Sequence, residues 1–342
     1  MFRKTTLAVD IGAGCIKYVF GTHNKIYKHG MLDTPVGSVA DSKIINGDAI
    51  AATVKDELKT RHIKPTRISF SISGNDVITR HIEVPIMGIS HIKDAVEWEV
   101  RQNLPDEGEK YYLDFEVQNN ETAKRDKRYK VVVVALLKDR IEKYMEVADK
   151  LGLPVGSIDI SSNNTARVFK KLTEGKNKLA SLGILDIGFS NTSITLIDNG
   201  MLSMERQVHF GLDKFYKEIM KTETLSDEGM KDLLYNNFGF EDLDKDVNSR
   251  LNSQFDNLFA TFQKVIQFYS TGKVDKTVSR IYLAGGGSTI RGVDKYIEKY
   301  FESPTTAVYS RKDIDLKMKL PKDLNIVYYI NAIGLLLREE QA

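Results

Sequence analysis

Asp-Ile-Gly occurs twice in this chain, at 10–12 and at 186–188, each time between two short β-type runs. Residues 6–11 read as a strand that ends in the turn Gly12-Ala13-Gly14, and residues 16–21 read as a second strand running back from it. Asn24 sits in the next turn, and a third strand follows over 26–32. The same order returns 176 positions on, from 10 to 186. Residues 182–187 lead into Gly188, 193–197 return, Asp198-Asn199-Gly200 turns, and 201–208 form the third strand. Two halves that open alike point to a duplicated α/β unit. At 342 residues the chain is long enough for two domain-sized cores.

Charge and cysteine content narrow the class. Lys and Arg number 49 against 47 Asp and Glu, too balanced for a protein living on a phosphate backbone, so nucleic acid is not expected as a partner. Cys15 is the only cysteine, which excludes an intramolecular disulfide and a thiolate zinc site and suits a reducing compartment. The histidines at 23, 29, 62, 81, 91 and 209 include no pair at metal-ligand spacing. The conspicuous apolar run at 131–137 is far short of the ~20 residues that span a bilayer. The N-terminus lacks the apolar core of a signal peptide, so a cytoplasmic protein without direct membrane insertion is expected.

Between the two openings the pattern changes. Ser90 is read as an N-cap, and Ile92, Val96, Val100 and Leu104 form an apolar stripe closed by Pro105, which predicts one amphipathic helix with Trp98 in the core beside it. Residues 112–117 and 129–137 are read as paired strands joined by a polar loop, with the basic cluster at 124–130 as a solvated tip. Ile141, Met145, Ala148 and Leu151 predict a second helix stopped by Gly152. In the second half, 212–272 reads as a helical lobe with its stripe at Leu258, Phe262, Val265 and Tyr269. A strand at 280–284 then runs into Gly285-Gly286-Gly287-Ser288, and a helix over 328–338 closes the chain.

Three glycine turns at strand ends, Asp10 to Gly14, Asp186 to Ser190 and Gly285 to Ser288, are the chemistry-bearing pattern. Glycine lets amide N–H groups approach an anion with no Cβ in the way, so such tips can cradle phosphate. Asp10 and Asp186 can hold a hydrated Mg²⁺ jointly with that phosphate, and Lys17 adds a point charge. Cys15 itself reads as a small packed side chain.

The order of these turns resembles the actin, Hsp70 and sugar-kinase superfamily, whose phosphate-1, phosphate-2 and adenosine motifs match 7–17, 184–193 and 281–292. Within it the chain resembles the PilM family of type IV pilus assembly proteins and, more distantly, FtsA. Ala95-Val96-Glu97-Trp98-Glu99 with Asn103-Leu104-Pro105, the segment Asp159 to Ala166, and Asn331-Ala332-Ile333-Gly334-Leu335 carry that likeness, with Gly334 expected at a close hinge contact. The resemblance implies an α/β actin-like ATPase fold, two RNase H-like domains around a nucleotide cleft. It divides the chain into a first core (1–84 and 156–177), a small SHS2-like insert (85–155), a second core (178–212 and 273–342) and a helical lobe (213–272).

It also implies ATP or ADP with Mg bound by Asp10, Gly12, Ala13, Gly14, Cys15 and Lys17 from the first turn. Asp186, Gly188, Ser190, Asn191 and Thr192 would serve from the second, and Gly285, Gly286, Gly287 and Ser288 from the third. The implied partner is the N-terminal cytoplasmic peptide of the inner-membrane protein PilN, met by Trp98, Arg101 and Leu104, with other inner-membrane pilus proteins and self-association also in view. The protein would then lie at the inner face of the plasma membrane through a partner.

The chain departs from the family pattern at several places. Ala13 and Cys15 stand where hydroxyls are usual, Met230-Lys231-Asp232-Leu233-Leu234 replaces Ala-Glu-x-x-Lys, Thr261 and Lys264 replace an acidic residue and an Arg, and Gly211-Leu212 replaces a Gly pair. At about 1 kcal/mol per lost polar contact, nucleotide binding is expected to be ten- to a thousandfold weakened, with little turnover. Two other functions compete with a scaffold. A sugar-kinase-type phosphotransferase needs a catalytic carboxylate, for which Asp159 is the candidate; an FtsA-like filament needs an amphipathic tail, and the end Leu337-Arg338-Glu339-Glu340-Gln341-Ala342 is acidic.

Overall fold

The computed structural model describes residues 4–104, 108–118, 128–173, 179, 181–221, 226, 228–229, 245–271 and 277–338. In chain order the first strands are β1 (Thr6–Ile11), β2 (Cys15–Thr22), β3 (Lys25–Asp33), β4 (Val39–Ala40), β5 (Lys43–Ile44), β6 (Arg67–Ile72) and β7 (Ile78–Pro85). There follow β8 (Tyr111–Gln118), β9 (Arg128–Leu137), β10 (Val155–Ile160), β11 (Ser181–Ile187), β12 (Thr192–Asp198), β13 (Met201–Val208), β14 (Arg280–Ala284) and β15 (Thr305–Ala307). The helices used below are α1 (Gly47–Thr60), α2 (Ile89–Arg101), α3 (Lys138–Leu151), α4 (Ser161–Phe169), α5 (Leu212–Ile219), α6 (Lys245–Ser270), α7 (Val293–Phe301) and α8 (Ile330–Leu336).

The duplication read from the two Asp-Ile-Gly stretches is a duplication of topology. The first sheet runs β3-β2-β1-β6-β10 and the second β13-β12-β11-β14-β15, so each half places its third, second, first, fourth and fifth strands in the same order. In each, the leading strand pairs antiparallel with its hairpin partner and parallel with the strand on its other side. β1 and β11 are central and almost wholly apolar up to their aspartates, as strands buried on both faces must be.

The helices between the sheets are exchanged. α4 precedes the second sheet and packs on β12 and β13, whereas α8, at the end of the second half, packs on β1, β2 and β6. The two cross each other where a Cβ on Gly334 would strike the Asn164 carbonyl, so only glycine lets these backbones meet. One hydrophobic core consequently joins Leu7, Val9 and Phe70 of the first sheet to Ile184 and Tyr282 of the second through Phe169, Ile330 and Ile333. A second core fills the far face of the second sheet, where Phe255, Phe259 and Phe262 of α6 pack on Leu185 and Leu283.

The insert is the three-stranded sheet β7-β9-β8 with α2 across one face. Ile92, Val96 and Val100 bury against Val131, Val133 and Ala135, as the apolar stripe requires. Several sequence expectations need correction here. α2 starts at Ile89 with Gly88 as its N-cap, so Ser90 does not begin it. α2 ends at Arg101, ahead of Leu104, and Pro105 and 119–127 lie outside the described residues. Trp98, expected in the core, is 68% exposed. In α3 the buried face is Arg140, Tyr144, Val147 and Ala148, which leaves Met145 exposed. α3 packs on α1 and joins the first core, while α8 packs on β1, β2 and β6 and joins the same core.

Candidate functional site

The two hairpin turns are built alike to the atom. In the first, the Gly12 amide donates to the Cys15 carbonyl at 3.1 Å; in the second, Gly188 donates to Asn191 at 3.0 Å. A Cβ at either glycine would stand 3.0 or 2.8 Å from that same carbonyl, which is why both positions are glycine. The amides of Ala13 and Gly14, and of Phe189 and Ser190, carry no backbone hydrogen bond among the described residues. These are the tips a phosphate cradle requires. The tips also touch each other: a Cβ on Gly14 would stand 2.7 Å from Phe189 Cγ.

At the base of the tips the two carboxylates converge. Asn331, on α8, donates its Nδ2 to Asp10 Oδ2 at 3.3 Å and to Asp186 Oδ2 at 3.1 Å, while its Oδ1 accepts from Thr165 at 3.3 Å. Lys17, across β2 from Asp10, places Nζ 4.0 Å from Asp10 Oδ2. Burial pushes the Asp186 carboxyl above the ordinary carboxylate range; Asp10 adds to the rise, and Lys17 and Asn331 oppose it. The helix exchange is what delivers Asn331 to this place. Sequence reasoning placed it in a closing-helix motif without giving it a role at the site.

Among the described residues there is no cluster of three or more His, Cys, Asp or Glu that could cage a metal. Asp10 and Asp186, which share the Asn331 amide, are hard oxygen donors of the kind a hydrated Mg²⁺ takes alongside phosphate and water.

The third turn supports the second. Gly285 has φ +80°, and a Cβ there would strike Asp186 Oδ1 and the Ile187 carbonyl; Gly287 packs on the Ile187 side chain. Ser288 is 1% exposed and its hydroxyl donates to the Ala284 carbonyl, so it serves the turn rather than a ligand. Thr192 is likewise buried and donates to the Phe210 carbonyl at 2.8 Å. Asn191 turns its Nδ2 to Ser42, and its Oδ1 is buried with no hydrogen-bond partner among the described residues. The first turn is held from outside by Thr34, which donates to the Gly12 and Gly14 carbonyls. Cys15 is half-buried and in no disulfide.

Two other candidates change. Asp159 Oδ2 lies 2.6 Å from Arg167 Nη1 and 3.7 Å from Arg338, an ion-paired structural carboxylate rather than a free base for phosphoryl transfer. On the insert, Leu104 is 7% exposed and packs under α2, so it is core and not contact surface. Arg101 donates to the Gly108 carbonyl at 2.8 Å and keeps an exposed flank next to Trp98. The 230–234 segment lies outside the described residues.

Comparison with known proteins agrees with this architecture. The chain is similar to a solved structure from a PilM–PilN type IV pilus biogenesis complex, with TM-score 0.81 and 20% identity over 97% of this chain and 98% of that one. It is similar to the ethanolamine utilization protein EutJ of Carboxydothermus hydrogenoformans, TM-score 0.61 and 11% identity over 98% and 90%. It also resembles MreB5 of Spiroplasma citri bound to ADP, TM-score 0.57 and 12% identity over 97% and 95%. At these identities the likeness establishes the fold, which is actin-like. The family model described as type IV pilus assembly protein PilM matches residues 8–340. The two mirrored hairpins, the exchanged helices and the small insert are thus those of a chain that belongs to the PilM family of type IV pilus assembly proteins.

Proposed function

We propose that this protein is an assembly scaffold of the type IV pilus machinery whose cleft holds ATP or ADP as a clamp between its halves. The observation that carries the cleft is the pairing of two identically closed hairpins with Asp10 and Asp186 brought to one amide, that of Asn331. The tip amides receive phosphate, Lys17 adds positive charge, and the two aspartates orient water on a Mg²⁺ ion, which when bound neutralises the phosphates. Ala13 supplies no hydroxyl to the first tip and the hydroxyls of Thr192 and Ser288 are spent on the fold, which fits weak binding with little turnover. The MreB neighbour bound to ADP supports the same reading for an actin-like cleft.

The PilM–PilN structure among the neighbours supports a PilN-type partner for this chain, reached through the N-terminal cytoplasmic peptide of that membrane protein. Among the described residues no helix is long and apolar enough to cross a membrane, so attachment to its inner face runs through the partner. Trp98, exposed on α2, and the flank of Arg101 are the contact residues on the insert.

Calorimetry with ATP and Mg²⁺ tests the clamp: micromolar or weaker binding, abolished by Asp186→Ala, is expected, and sub-micromolar binding would overturn the weakened cleft. A synthetic PilN N-terminal peptide should bind the wild type and bind Trp98→Ala at least several-fold more weakly. No capture by the wild-type chain would remove the partner assignment.

A further inference from the structure

A two-residue hairpin outside the cleft motifs ties the halves together. β4 and β5 pair Ala40 with Lys43, and the two residues between them, Asp41 and Ser42, have φ +47° and +62°. A turn with both central residues left-handed is one in which glycine or asparagine is the default. Serine at the second position is held against its backbone preference, and such positions point to a use for the side chain. Ser42 Oγ accepts from Asn191 Nδ2 and from Gln207 Nε2, both at 3.3 Å, so one hydroxyl of the first half receives two amides of the second. One of them belongs to the second phosphate-type turn.

The backbone of the same residue is fixed from α3, the helix that continues from the insert's central strand and packs in the first core. Arg140 is 5% exposed and donates to the Ser42 carbonyl at 2.7 Å, to the Ser73 carbonyl and to Asp76. Gly74, at φ +147°, leaves the room that guanidinium needs: a Cβ there would stand 2.6 Å from Arg140 Nη1. Arg140 lies in the first turn of α3, which continues directly from β9, the central strand of the insert sheet. A second tie runs from β7, where Thr79 donates to Glu205, on the same strand as Gln207.

We propose that the Asp41–Ser42 hairpin is a clasp that seats the second half on the first and relays the position of the insert to Asn191. Given the scaffold reading above, a partner on the insert then biases closure of the cleft. The guanidinium of Arg140 bonds to Ser42, Ser73 and Asp76, all in the first half, so its influence on the 188–192 turn passes through the clasp.

Hydrogen exchange by mass spectrometry on the full ligand-free chain tests it. Ser42→Gly keeps the turn, removes the hydroxyl, and should speed exchange about tenfold at 188–192 and 205–208. Arg140→Gln should speed exchange in the same two segments, and the double variant should do no more than the larger single effect. Exchange altered only at 39–44 in the first variant, or additive effects in the double variant, would overturn the proposal. If Arg140→Gln does not fold, Asp76→Asn takes its place, because it loosens the same guanidinium. ATP titration of the wild type separates the two readings: absence of ATP binding removes the nucleotide clamp, while the ligand-free exchange still decides the clasp.

Discussion

The two Asp-Ile-Gly hairpins share a backbone and differ in what stands behind it. The first is open: Asp10 faces Lys17, and Thr34 braces the turn from outside. The second is braced on every side. Gly285 presses on Asp186 and Ile187, Asp213 and Leu212 at the start of α5 donate to the Phe189 and Gly188 carbonyls, and Thr192 is bonded to Phe210. Duplication has therefore left one hairpin with few outside ties and one whose polar groups largely hold the fold. Changes that remove bracing contacts in the second should cost more stability than the matching changes in the first.

The largest expected separation is at glycine. Gly285→Ala combines a left-handed backbone with a clash against carboxylate and carbonyl oxygens and should destabilise by about 3 kcal/mol, whereas Gly12→Ala, 3.0 Å from a single carbonyl, should lose about 1 kcal/mol. Urea midpoints at constant m-value measure both, and equal losses would break the contrast. Next, Thr192→Val strands the buried Phe210 carbonyl and should cost about 1.5 kcal/mol, against about 0.5 kcal/mol for Thr34→Val on the open side. The same denaturation series reads the difference.

The smallest effect is electrostatic. Because the Asp186 carboxyl is raised in the folded chain, the native state keeps its proton where the unfolded chain, near 3.8, has released it. Stability from this group is therefore present at low pH and declines as pH rises from 3.8 through the raised folded value. Asp186→Asn should flatten that decline and raise the thermal midpoint at neutral pH. Midpoints measured across a pH series check the sign; a variant less stable than wild type at neutral pH would contradict it.

Much of the fold was legible because turn chemistry and alternation are local. The three opening strands of each half were read to within about two residues, since glycine turns bound them and buried central strands are continuous apolar runs. Facing was less legible. Trp98 sits beside a true apolar stripe, yet its own position on α2 points to solvent, and Met145 occupies an exposed position on a helix whose neighbours are buried. Of the predicted site residues, Asp10, Lys17 and Asp186 do converge, and the hydroxyls of Thr192 and Ser288 are turned into the fold instead. Ser42 and Arg140 carried no sequence signal beyond a non-glycine turn and one arginine on an otherwise apolar helix face.

By itself the sequence determined two α/β halves of like topology, glycine-tipped strand ends with an aspartate before each of the first two, and an insert of a different period. Those follow from φ preferences and from the spacing of apolar residues along a few turns of chain. Only the tertiary structure decided which half each long-range helix joins, and hence that Asn331, 321 residues from Asp10, bridges the two carboxylates. It also decided which of two equivalent hairpins spends its polar groups on bracing the fold. Those choices depend on atoms brought together across the whole chain, where burial and hydrogen-bond partners are set by neighbours that local sequence does not name.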